Sequence, residues 1–269
     1  MSAVRRYGDG KPLVALHGFT LTGGQFSVLG DIGREILAPD LPGHGTSGPS
    51  PIDPSAAVQA VVSALKDIPE DTPILGYSQG ARVALSVATG ANRSPSYLIL
   101  ISGTPGLPDE DERASRRARD AETAVRIERI GLEAFIEQWT STGLTSTANL
   151  GEAARSADRA IRLENSEAGL ASALLGYGQG SLPSCWHLLE QLSMPILILN
   201  GEHDTKYVDI GTRMTEAIGG NAENLVIRNA GHNPLSDQPQ ATIAIVSGFL
   251  NGHRGPAGPV VEPDSTLLP

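Results

Sequence analysis

Cysteine is all but absent. Cys185 stands alone among 269 residues, so no disulfide can form within the chain, and a lone thiol fits a reducing cytoplasm. Its expected place is that of a small buried hydrophobe. Aromatic residues make up only 4%, while 31 glycines point to many tight turns. Basic residues are outnumbered 20 to 30, and a net charge of −10 argues against a general role on nucleic acid. It does not exclude an anionic ligand, because arginines inside a closed pocket outweigh a distant field. Long hydrophobic runs are missing too. Leu13 to Leu16, bounded by Pro12 and Gly18, is far too short to cross a bilayer, and nothing after Met1 reads as a signal peptide. The expectation is a cytoplasmic protein with no membrane partner, a monomer or a homodimer. Six histidines and one cysteine show no metal-ligand spacing, and there is no phosphate loop, so neither metal nor cofactor is expected.

What is present is a rhythm of short apolar runs: Leu13 to Leu16, Glu35 to Ala38, Pro73 to Leu75, Tyr97 to Ile101, Pro195 to Asn200 and Asn224 to Ile227. Continuous apolarity without alternation is the mark of strands covered on both faces by helices. Helical patterns at Pro54 to Lys66, Gly80 to Ala91 and Val208 to Ile218 separate several of them, which implies a mostly parallel, doubly wound α/β sheet. Between Gly103 and Gln191 the rhythm turns helical, with Glu110 to Ile130, Gly131 to Trp139, Gly151 to Glu164 and Glu167 to Leu175. We expect a core in two parts, residues 1–103 and 187–252. A helical cap over residues 104–186 would lie across the C-terminal sheet edge, where such sheets bind ligands. Residues 253–269, rich in proline, read as a disordered tail.

Gly76-Tyr77-Ser78-Gln79-Gly80 lies between the Pro73 to Leu75 strand and a helix-prone run. Glycines on either side of Ser78 remove Cβ atoms where strand and helix backbones pass closely, so the serine hydroxyl is exposed on a sharp elbow. This is an α/β-hydrolase signature. A reactive serine needs a histidine to accept its proton and a carboxylate to orient that histidine, in the chain order serine, acid, histidine. Asp204 follows the strand ending at Asn200, and His232 follows the strand ending at Ile227, both on the same sheet edge as Ser78. Alone, Asp204 reads equally as the cap of the next helix. Glu202 and His203 compete with the pair, and spacing from the strand end favours Asp204. The His17-Gly18-Phe19-Thr20 loop follows the first strand, so the Phe19 N–H and the Gln79 N–H are the expected oxyanion donors. His17 and His44 read as bracing residues of this loop.

In the cap the basic residues are all arginine, suited to bidentate carboxylate binding. Most are expected on solvated faces, in i,i+4 pairs such as Asp109–Arg113, Glu112–Arg116 and Glu122–Arg126. Arg82 differs. One helical turn past Ser78 it lies beneath the site floor, where an unpaired charge is costly, and it points to an anionic substrate.

With Gly76-Tyr77-Ser78 followed by Arg82, Thr104-Pro105-Gly106-Leu107 before the arginine-rich helix, Phe135 to Trp139, Arg162-Leu163-Glu164-Asn165, Gly176 to Trp186, and Gly201-Glu202-His203-Asp204 before Lys206, the chain resembles one family. It is that of the α/β-hydrolase-fold 2-succinyl-6-hydroxy-2,4-cyclohexadiene-1-carboxylate (SHCHC) synthases of menaquinone biosynthesis. The resemblance implies a lyase that eliminates pyruvate from a cyclohexene polycarboxylate. It implies Ser78 as a base activated by His232 and Asp204, carboxylate-binding Arg82, Arg116 and Arg162, and further pocket residues Tyr77, Trp139 and Lys206. Where the family often carries a second histidine and a glutamate after the catalytic histidine, this chain has Leu235 and Asp237. Two other readings stay open: a serine hydrolase of the same fold (carboxylesterase, thioesterase or C–C bond hydrolase) and a non-catalytic binding protein.

Overall fold

The computed structural model describes residues 4–51, 53–90, 93–141 and 143–252, together with the backbone of Val260–Val261. Its centre is an eight-stranded sheet of order β1-β3-β2-β4-β5-β6-β7-β8. Strands β2 (Lys11–Leu16), β3 (Arg34–Pro39), β4 (Ile74–Tyr77), β5 (Leu98–Ile101), β6 (Ile196–Gly201) and β7 (Ala222–Ile227) are parallel. These are the six apolar runs of the sequence. Two edge strands were not expected. The first, β1 (Val4–Tyr7), pairs antiparallel with β3. The second, β8 (Val260–Val261), pairs antiparallel with β7. Residues 253–259 and 262–269 lie outside the described residues.

Both sheet faces are dry. One cluster joins Val14, Leu16, Ile74, Leu98, Leu100 and Ile198 to α1 (Pro54–Ala64), α2 (Gln79–Thr89) and Met214. The other joins their chain neighbours Leu13, Ala15, Leu75, Ile99, Leu197 and Leu199 to Phe26, Val246 and Leu250. Alternate residues of one strand thus enter opposite cores, which is why the sequence shows no polar alternation there.

Four helices, α3 (Glu110–Ile130), α4 (Leu132–Trp139), α5 (Glu152–Arg162) and α6 (Glu167–Tyr177), intervene between β5 and β6. Asp109 starts α3 by accepting the Glu112 N–H through its side chain, and Ser166 starts α6 by accepting that of Gly169. Ala124, Ile127, Phe135, Ile136, Leu170 and Leu174 give α3, α4 and α6 a small core of their own. None of the three expected i,i+4 pairs on α3 forms among the described residues. Asp109 serves as the cap, Arg113 and Arg117 turn to Glu110, and Arg116 turns to Asp120. The chain closes with α7 (Thr205–Ile218), α8 (Pro234–Asp237) and α9 (Pro239–Leu250). No described helix is long and apolar enough to cross a membrane.

Candidate active site

The elbow has the strained geometry that its glycines anticipate. Ser78 sits at φ 50° and ψ −108°, a conformation costing about 1–3 kcal/mol for a residue with a Cβ. A Cβ on Gly80 would lie 2.0 Å from the Leu16 carbonyl oxygen, and one on Gly76 would lie 2.5 Å from that of Gly80. Only glycines let β4 and α2 pass so closely, and the turn lifts Ser78 above the sheet edge.

The Ser78 hydroxyl meets His232 Nε2 at 2.9 Å, and His232 Nδ1 meets Asp204 Oδ2 at 2.5 Å. Asp204 stands at the N-cap position of α7 yet makes no side-chain cap hydrogen bond. Its carboxylate is buried and turned to the histidine instead. The partners fix the tautomer: Nδ1–H donates to Asp204, leaving Nε2 to accept from Ser78. The His232 ring is packed by Tyr207 and Tyr77, with ring centroids 4.6 and 5.7 Å away. Asp237 accepts the Gly231 N–H at 2.7 Å and so anchors the turn before His232, while burial pushes its carboxyl above the usual range. Such a relay can take a proton from the serine and make its oxygen a base or a nucleophile.

Across the cavity, neither the Phe19 N–H nor the Gln79 N–H has a partner among the described residues, which leaves both free for a developing oxyanion. The loop carrying Phe19 is braced from below. His17 donates through Nδ1 to the Gly18 carbonyl and accepts the Leu41 N–H at Nε2, both at 2.9 Å, and burial lowers its pKa to about 4. His44 packs edge-on against His17 and Phe19, completing the brace. From above, Asn165 donates to the carbonyl of Thr20, and Arg162 donates to its hydroxyl. Thr20 itself is held at φ 67°.

A cavity of about 560 Å³ opens over Ser78, lined also by Phe19, Gln79, Arg82, Arg116 and Trp139. Arg82 is 9% exposed, its Nε has no hydrogen-bond partner among the described residues, and burial lowers its pKa. Arg116 is shared between Asp120, 2.8 Å away, and the Gln179 side chain. The remaining expected residues lie elsewhere. Tyr77 and Arg162 line a second cavity of about 410 Å³, which shares His232 with the first. Arg162 is buried and bound to Asp158 at 2.6 and 3.1 Å, so its charge is already matched. Lys206 is exposed and lines neither of these two cavities. Its neighbour Tyr207 lines the Ser78 cavity, because one residue along a helix turns the side chain by about 100°. Tyr207 and Gln179 carry no sequence signal, whereas Asp120 could have been found as the i+4 partner of Arg116.

A family model described as the alpha/beta hydrolase family matches residues 13–245. The 2-succinyl-6-hydroxy-2,4-cyclohexadiene-1-carboxylate synthase of Enterobacter sp. (strain 638) is 33% identical over 255 residues, covering 90% of this chain and 93% of its own. MenH from S. aureus superposes with a TM-score of 0.86 at 29% identity, covering 95% of this chain and all of its own. A malate-bound thermophilic esterase from Thermogutta terrifontis, at 24% identity and a TM-score of 0.77, shares the fold. The chain belongs to the alpha/beta hydrolase family and, within it, to the 2-succinyl-6-hydroxy-2,4-cyclohexadiene-1-carboxylate synthases.

Proposed function

We propose that this chain is a lyase of menaquinone biosynthesis. It eliminates pyruvate from 2-succinyl-5-enolpyruvyl-6-hydroxy-3-cyclohexene-1-carboxylate to give SHCHC. The observation that carries the proposal is Arg82, a buried cation with no carboxylate partner among the described residues, which shares a cavity with the Ser78–His232 pair. A buried charge without a partner is costly, and an anion bound in the cavity would offset that cost. Relatives bearing the synthase name point to the product.

In the reaction, Ser78 Oγ takes a ring proton while its own proton passes to His232 Nε2. Asp204 holds the imidazole and balances the imidazolium that forms. The electron pair released from the C–H bond forms the ring double bond, and the C–O bond breaks with its pair leaving on the pyruvate enolate. That enolate takes up at its methylene carbon the proton held on His232, giving pyruvate and the neutral imidazole. Charge that builds on a substrate oxygen meets the Phe19 and Gln79 N–H groups. Arg82 and Arg116 take carboxylates, Trp139 walls the cavity, and α3 to α6 act as its cap. Arg162, committed to Asp158 and Thr20, supports the oxyanion loop. The lone Cys185, buried with its thiol pushed up to about 12, is in keeping with a cytoplasmic setting.

A serine hydrolase remains the second reading, favoured by the two open N–H donors. The test is to make the enolpyruvyl intermediate in situ with the preceding enzyme and follow pyruvate release by wild type, Ser78→Ala and Arg82→Ala. Release lost in both variants supports the lyase. No release by wild type, with ester turnover that needs Ser78, replaces it with the hydrolase.

A further inference from the structure

The wall of the Ser78 cavity holds more positive charge than its inner end needs. Besides Arg82 and Arg116, two further arginines of α3 line it, Arg119 and Arg126, with Asp120 the only carboxylate among the lining residues. Residues 116, 119, 120, 123 and 126 recur at spacings of three and four, so they form one face of α3. Arg116 and Arg126 are ten residues apart, roughly 15 Å along the axis. The two outer arginines are exposed. Arg119 has no ion pair among the described residues. Among the described residues Arg126 donates only to the neutral Gln138 side chain, and it lies over the Phe135 ring, 5.9 Å from its centroid. Neither contact cancels its charge. Four guanidinium groups against one carboxylate is an inversion of the chain's overall charge of −10.

Cations strung along a low-dielectric wall concentrate anions there, although the molecule as a whole repels them. We infer that Arg119 and Arg126 form an outer anion station at the cavity mouth, which engages a carboxylate of a polycarboxylate substrate before its inner groups reach Arg82 and Arg116. The station deepens the lyase proposal and rests on it for the identity of the substrate; its ability to hold a polycarboxylate does not depend on turnover.

The test uses citrate as a tricarboxylate probe, titrated by calorimetry at low ionic strength, alongside pyruvate-release kinetics. The proteins are wild type, the double variant Arg119→Gln/Arg126→Gln, and Arg129→Gln. Arg129 is exposed on the same helix and absent from the cavity lining, so it shows what the loss of one charge outside the cavity does, against the two lost in the double variant. The station predicts that citrate binding weakens about ten-fold in the double variant and stays at the wild-type value in Arg129→Gln. It also predicts a matching fall in kcat/KM with a shallower dependence on salt. Equal citrate affinity in all three proteins, or no millimolar binding by wild type, overturns it. Station-dependent citrate binding without pyruvate release would leave the station standing and remove the lyase.

Discussion

Asp158 and Arg162 meet one helical turn apart on α5, Oδ2 to Nε at 2.6 Å, with both side chains buried. Their pairing leaves Arg82 as the buried cation of the site without a matching carboxylate among the described residues. Breaking such a pair from one side strands a charge, whereas replacing both partners removes the desolvation cost with it. Asp158→Asn is expected to cost about 3 kcal/mol of stability, and Asp158→Leu/Arg162→Met to recover most of it. Urea denaturation of the three proteins measures both numbers.

Arg82 should behave in the opposite sense. Removing an unmatched buried cation relieves the folded state, so Arg82→Met is expected to gain about 1–2 kcal/mol in thermal or urea unfolding. The same change leaves a substrate carboxylate unmatched, lowering kcat/KM for pyruvate release by roughly 30-fold or more. A stabilised variant with undiminished kcat/KM would separate Arg82 from the substrate.

Ser78→Gly removes both the hydroxyl and the strain of a side chain at positive φ. The variant is expected to release no pyruvate and to be more stable than wild type by about 1 kcal/mol, since relief of strain outweighs glycine's greater entropy in the unfolded chain.

Asp204→Asn preserves shape but presents the wrong hydrogen-bonding partner to His232 Nδ1. A fall in kcat of about 10⁴-fold is expected, with little change in circular dichroism.

His17 makes stability depend on pH. Its pKa is 6.5 in the unfolded chain and about 4 in the fold, where burial opposes the imidazolium. Above pH 6.5 both states are neutral and its contribution is complete. As the pH falls toward 4, the unfolded chain takes up a proton that the folded chain does not, and about 3 kcal/mol is lost. Unfolding midpoints from pH 7 to pH 4 should fall in wild type and follow a flatter profile in His17→Asn, from a lower starting value.

The parallel strands and the elbow could be read from the chain because the physics there is local. A strand covered on both faces has no polar residue to spare, and the Ser78 turn needs Gly76 and Gly80. Strand β1 escaped notice because Val4–Tyr7 is a partly exposed edge where Arg5 and Arg6 are at home, and β8 is only two residues long. The relay residues were legible through their places after β6 and β7. The pocket wall was less so. Lys206 and Tyr207 are neighbours in sequence yet face different surroundings, and whether Arg162 is free depends on Asp158, a residue whose ordinary place is a solvated helix face. Charge in a sequence can be counted, but its pairing is a property of packing.

Strands β5 and β6 lie side by side, Leu98 opposite Ile196, although all of α3 to α6 is threaded between them in the chain. Closing so long a loop is entropically costly and slow, and it must precede the meeting of Ser78 with Asp204 and His232, which β6 and β7 deliver. During refolding, the four inserted helices can acquire their circular dichroism from local contacts while the chain is still inert. Recovery of activity is therefore expected to report the zipping of the sheet across its own insertion, an event that circular dichroism of the helices does not follow.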